Sequence, residues 1–130
     1  MLPTIAAMSV AGALAVVLIG VVVLFQILLA LGAPWGAAAW GGRTTGVLPG
    51  GLRIASAVSA VLLGAIAWVV LSKSAAEGDG PSWLTPALWV IVGYFALGAV
   101  MNAISRSKIE RIWAPVSLAI AVLVGFVAAA

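Results

Sequence analysis

Ile5–Leu31 reads IAAMSVAGALAVVLIGVVVLFQILLAL, with Gln26 its most polar side chain and no charged residue anywhere in the run. Crossing a hydrocarbon core about 30 Å thick takes about 20 apolar helical residues. At about 1.5 Å per residue, a helix over this whole stretch would be about 40 Å long, so it must tilt, kink or protrude. A secretory signal has an apolar core of only roughly 7–15 residues behind a basic segment. Met1-Leu2-Pro3-Thr4 carries no basic side chain. The stretch therefore reads as a retained membrane span, stopped by Gly32 and Pro34.

Three further runs qualify. One extends from about Leu52 to Leu71, between Pro49-Gly50-Gly51 and Ser72-Lys73. Another extends from about Thr85 to Ile104, and the last from about Ile112 to Ala128. Pro86 and Pro115 fall in first turns, where the missing N–H would be unpaired anyway. A transmembrane barrel needs about 8 or more strands of alternating polarity, and these runs are apolar on every face. The expected fold is an all-α membrane protein, one integral domain over residues 1–130, built as a four-transmembrane-helix bundle.

Composition agrees. Of 130 residues, 65% are apolar and 7% charged, against roughly 25% charged in soluble domains. A small chain leaves too much surface in water to hide that apolar content. With no cysteine and no histidine, there is no disulfide, no thiolate chemistry, and neither the commonest general base nor the commonest metal ligand. Ionisable groups inside spans mark ion and proton pathways, and none lies at mid-membrane here. A proton-coupled carboxylate transporter and a voltage sensor are therefore poor fits. No metal site, catalytic set or cofactor is expected. The basic pI reflects loops rather than a soluble basic surface, so no nucleic-acid partner is expected.

Orientation follows from those loops. With four spans, the first and third loops share one side of the membrane. That side holds Arg43, Arg53, Arg106, Lys108 and Arg111, and the other holds only Lys73. Basic loops stay cytoplasmic. The expected location is the inner (plasma) membrane, multi-pass, with both termini outside the cytoplasm.

The halves echo each other. Ala30-Leu31-Gly32-Ala33 recurs as Ala96-Leu97-Gly98-Ala99. Ser56, Ala60, Val61, Leu62 and Gly64 recur as Ser117, Ala121, Val122, Leu123 and Gly125. Two tandem hairpins related by a pseudo-two-fold along the membrane normal would give this pattern, and so would chance in a chain so rich in Ala, Leu, Val and Gly. Ser56, Ala60 and Gly64 share one helix face, as do Ser117, Ala121 and Gly125. Small residues at this spacing let helices approach closely, within the chain or in a homo-oligomer.

Few residues offer chemistry. Gln26, Tyr94 and Asn102 form the candidate polar cluster, for a ligand, a pathway or a cross-helix tie. Trp35, Trp40, Trp83 and Trp113 fall at or beside span ends, where tryptophan anchors at headgroup level. Trp68 and Trp89 lie deeper, facing lipid or a pocket. The first loop is glycine-rich, yet the spacing of Trp35 and Trp40 predicts an ordered segment held flat at the interface. Arg43 would then reach a lipid phosphate or a helix C-terminal carbonyl. Arg106, Lys108 and Arg111 make the short third loop a second headgroup or partner contact.

Leu31-Gly32-Ala33-Pro34-Trp35-Gly36 through Trp40-Gly41-Gly42, Asn102-Ala103-Ile104-Ser105-Arg106-Ser107, and Glu110-Arg111-Ile112-Trp113-Ala114-Pro115 resemble small four-span bacterial inner-membrane proteins of domain-of-unknown-function families, of actinobacterial type. The resemblance implies a bacterial inner-membrane protein and brings no activity or site residues. Three functions remain open. The first is a non-catalytic protein acting through membrane lipids or a partner, either another membrane protein or a second copy. The second is a small oligomeric transporter or channel, and the third a membrane-embedded enzyme acting on lipid.

Overall fold

A computed structural model describes residues 9–130. Its four long helices are α1 (Val10–Leu31), α2 (Gly50–Ser74), α3 (Leu84–Ala103) and α4 (Trp113–Ala129). All are long and apolar enough to cross a membrane, the fourth together with the 3₁₀ turn Glu110–Ile112 that leads into it. The protein is an integral membrane four-helix bundle.

Helix ends follow local chemistry more than the apolar runs do. The described part of the first span begins at Val10, because Ser9 is extended and its hydroxyl accepts from the Gly12 N–H. A serine in this role satisfies an otherwise unpaired donor of the first turn. The described helix is 22 residues long, about 33 Å. Residues 5–8, part of the span expected from the sequence, lie outside the described residues. Gly32, at φ 106°, ends α1 in the left-handed conformation that glycine adopts without strain.

The second span is longer at both ends than its apolar run. Pro49 caps it, Gly50 and Gly51 are helical, and so are Ser72 and Lys73. Lys73 is buried, with its ammonium donating to the Asp79 carbonyl at 2.9 Å. That bond folds the second loop back over the end of α2. At the same end Ser9 and Ser74 pair through their hydroxyls at 3.0 Å, and a side chain on Gly12 would collide with Ser74.

α1 packs mainly on α2 and α3 mainly on α4, giving two hairpins side by side. The hairpins meet chiefly through α1 and α4, whereas α2 and α3 touch sparsely. Ala15, Ile19, Ile66, Val70, Leu88 and Val124 fill the interior toward the second-loop end. Large apolar side chains such as Val58, Val61 and Val90 face outward. That suits a hydrocarbon solvent, in which packing rather than the hydrophobic effect joins helices.

The small-residue stripes pack only in part. Ser56, Ala60 and Ala121 are buried, and Ser117 lies across from Gly98. Gly64 and Gly125 have open space where a Cβ would go. The expectation that these two glycines bring helices of the same chain together is therefore corrected. Around them it is Leu63, Ile66, Val124 and Val127 that are buried, so the two glycines lie off the packed faces of their helices.

Candidate functional site

The first loop folds into a cap over one end of the bundle. Residues Gly36–Ala38 and Trp40–Gly42 form 3₁₀ turns, and Trp35 pairs with Gly46 across the loop. Gly36 must be glycine: a Cβ there would sit 2.5 Å from the Thr44 carbonyl oxygen and 2.7 Å from that of Gly46. Leu48 and Ala39 are buried against Leu29 of α1, with Phe25 and Leu52 packed alongside. The tryptophans of the loop are half exposed and also have partners within the protein. Trp35 stacks on Phe25, which also packs on Trp113. The Trp40 indole N–H donates to the Ser56 hydroxyl at 2.9 Å. Trp40 has φ 51°, a left-handed conformation that costs a non-glycine residue about 1–2 kcal/mol. The part-buried indole bond to Ser56 helps to hold it there.

The third loop locks to the first. Glu110 is buried, and its carboxylate accepts from the Gly41 N–H at 2.8 Å. The Ser107 hydroxyl donates to the Ala37 carbonyl, and the Trp113 indole N–H donates to that of Ala38 at 3.0 Å. The basic residues divide into two kinds. Arg53 donates to the Ala30 carbonyl at 3.0 Å, so the helix C-terminal carbonyl expected for Arg43 goes to Arg53. Arg111 donates to the Ser105 carbonyl at 2.7 Å. Arg43, Arg106 and Lys108 are exposed, as Arg111 is, but their side chains make no hydrogen bond within the described residues.

Beneath this cap lies a cleft of about 450 Å³, within the size range of small-molecule sites. Gln26, Tyr94 and Asn102 all line it, so the three polar residues singled out in the sequence converge on one cavity. They do so without bonding one another. The Asn102 amide donates to the Gly98 carbonyl one turn back, at 2.9 Å, so it ties no second helix. Gln26 Oε1 is buried with no hydrogen-bond partner. Tyr94 is half exposed, its ring edge-on to Phe95.

The rest of the lining comes from every helix. Val22 and Phe25 lie on α1, Ser59 and Leu63 on α2, Leu97 and Met101 on α3, and Trp113 and Ser117 on α4. Tyr94 is nine residues before the end of α3, so the cleft reaches about 14 Å below that end, or about half the membrane. Its walls include residues of α2 and α3, which touch more sparsely than α1 and α4 do. Trp40 and Trp113 belong to the lining, whereas Trp68, Trp83 and Trp89 stand half exposed elsewhere.

A second hollow of about 830 Å³ adjoins it at the loops, lined by Arg43, Thr45, Arg106 and Ser107 among others. Met101, Asn102 and Glu110 belong to both. Lys108 and Arg111 line neither. Glu110, Ser59 and the cavity role of Trp113 were not visible in the sequence. Glu110 sits among basic residues and reads as part of a charged turn. The four-residue spacing of Trp113 and Ser117 was the one signal that could have put both on a common face. Among the described residues no group of His, Cys, Asp and Glu could hold a metal ion.

No protein-family model matches the chain, and neither a curated protein nor a solved structure does. The resemblance to bacterial four-span proteins rests on the quoted residues alone.

Proposed function

We propose that this integral membrane protein holds a membrane amphiphile in the cleft between α2 and α3 and acts without catalysis, through that lipid contact. The observation that carries the reading is the convergence of Gln26, Tyr94 and Asn102 on one half-membrane cleft walled mainly by apolar and aromatic side chains, with Ser59, Ser117 and Glu110 among them. Pockets of this make-up, apolar with a few placed polar groups, are typical of ligand sites. The orphan Gln26 acceptor supports it. A buried polar atom without a partner costs about 1–3 kcal/mol, and such a group calls for an explanation. A turn of the amide about its last torsion, which is soft, would offer it to a ligand hydroxyl.

A transport pathway would continue to the opposite side. The interior there is filled by Ala15, Ile19, Val70 and Leu88, which favours binding over conduction. The loop 1 and loop 3 end is assigned to the cytoplasm of a bacterial inner membrane, on the basic asymmetry of the loops. Native mass spectrometry of the protein extracted in mild detergent tests the reading. The expected spectrum shows a retained phospholipid at one per chain, lost in a Ser59→Trp variant that fills the cleft. A lipid-free protein that also takes up no added phospholipid would refute it.

A further inference from the structure

The loop-side hollow joins the cleft at Met101, Asn102 and Glu110, and its chemistry differs from that of the cleft. From the middle of the bundle outward the lining changes in order. Val22, Leu63 and Phe95 lie deepest, with the Tyr94 and Ser59 hydroxyls beside them, then Gln26, Ser117 and Asn102 nearer the helix ends, then Arg43 and Arg106 on the loops. This is the polarity sequence of a phospholipid, from acyl chain through ester region to headgroup.

The charges narrow the class. Of the four arginines at this end, Arg53 and Arg111 have their Nε–H groups committed to main-chain carbonyls. Arg43 and Arg106 make no hydrogen bond within the described residues; they come from different loops and line the same hollow. Glu110 is the one acidic residue in that lining. Two guanidiniums against one carboxylate leave one positive charge to be matched. Guanidinium groups suit phosphate oxygens, which they bind through paired N–H donors. The Glu110 carboxylate, anchored on the Gly41 N–H, is left as an acceptor for hydroxyl donors rather than a partner for phosphate. We infer that the Arg43–Arg106 hollow is a headgroup site for a phospholipid whose phosphate diester carries one net negative charge and a hydroxyl-bearing substituent. This rests on the amphiphile reading of the cleft and adds the identity of the headgroup.

The detergent-solubilised protein is titrated with phosphatidylglycerol, phosphatidylcholine, phosphatidylethanolamine or free glycerol phosphate, with bound copies counted by native mass spectrometry. The expected result is tightest binding of phosphatidylglycerol and none of glycerol phosphate at equal concentration. Arg43→Gln and Arg106→Gln should each weaken phosphatidylglycerol binding about five-fold, the size expected for one basic side chain near the headgroup. Both should weaken phosphatidylcholine binding by a smaller factor, and a wild-type melting temperature in detergent shows that the variants are folded. Lys108→Gln makes the same charge change outside the hollow and should alter binding less than two-fold. If phosphatidylcholine or phosphatidylethanolamine binds as tightly as phosphatidylglycerol, the headgroup assignment is wrong while the amphiphile reading stands. An effect of Lys108→Gln equal to that of Arg43→Gln would replace the site with diffuse attraction and overturn the assignment. Glycerol phosphate bound as tightly as the lipid would make the ligand a soluble phosphate. No lipid bound at all would remove the amphiphile reading itself.

Discussion

Gln26 is a polar side chain placed where stability alone would prefer an apolar one. It sits in an apolar helix, and its Oε1 is buried without a partner. Leucine has similar bulk and no acceptor to desolvate. Gln26→Leu is therefore expected to stabilise the lipid-free protein by about 1 kcal/mol, read as a higher melting temperature in detergent, while weakening lipid retention. A lower melting temperature would mean that the amide already has a structural partner. Gln26, Tyr94 and Asn102 were legible in the sequence because a hydroxyl or amide stands out in an apolar run. That they line one cleft depends on which way four helices turn, and the sequence carries no strong signal of that.

At the scale of elements, the glycines separate into those that are needed and those that are not. In the first loop the Gly36 Cα faces two carbonyl oxygens, whereas Gly64 on α2 faces open space. Gly36→Ala should therefore open the cap and make loop 1 a fast protease site. Gly64→Ala should leave the melting temperature no lower, because alanine is the better helix former by up to about 1 kcal/mol. A destabilised Gly64→Ala variant would point to a contact at that face, such as a second copy.

Span ends were the least legible part of the elements. Gly50, Gly51, Ser72 and Lys73 are residue types that usually punctuate loops, yet all four are helical. The Lys73 ammonium finds the Asp79 carbonyl, a tertiary contact that no local pattern announces. The order of the first loop was legible from Trp35 and Trp40. Its cause, an indole bonded to Ser56 and a ring stacked on Phe25, was not.

For the whole molecule, the number of spans is legible because uninterrupted apolar runs have few other uses. The arrangement as two hairpins is compatible with the repeated segments, but the sparse α2–α3 contact that leaves room for the cleft has no counterpart in them. Orientation remains an electrostatic argument. Arg43, Arg53, Arg106, Lys108 and Arg111 lie at one end and Lys73 at the other, so reporters fused after Arg106 and after Ala130 should report the cytoplasm and the opposite side, respectively. A cytoplasmic C-terminus would place the cleft in the outer leaflet.

Occupancy of the cleft is tested most directly by photolabelling. A phosphatidylglycerol with a photoreactive group midway along one acyl chain would be irradiated with the protein in lipid nanodiscs, and the labelled residues mapped by peptide sequencing. Label is expected to concentrate on Val22, Phe25 and Leu63, which line the cleft and are not exposed on the outer surface, and to fall away there in Ser59→Trp. Label spread evenly over outward-facing positions such as Val58, Val61 and Val90, and unchanged by Ser59→Trp, would contradict a lipid held between α2 and α3.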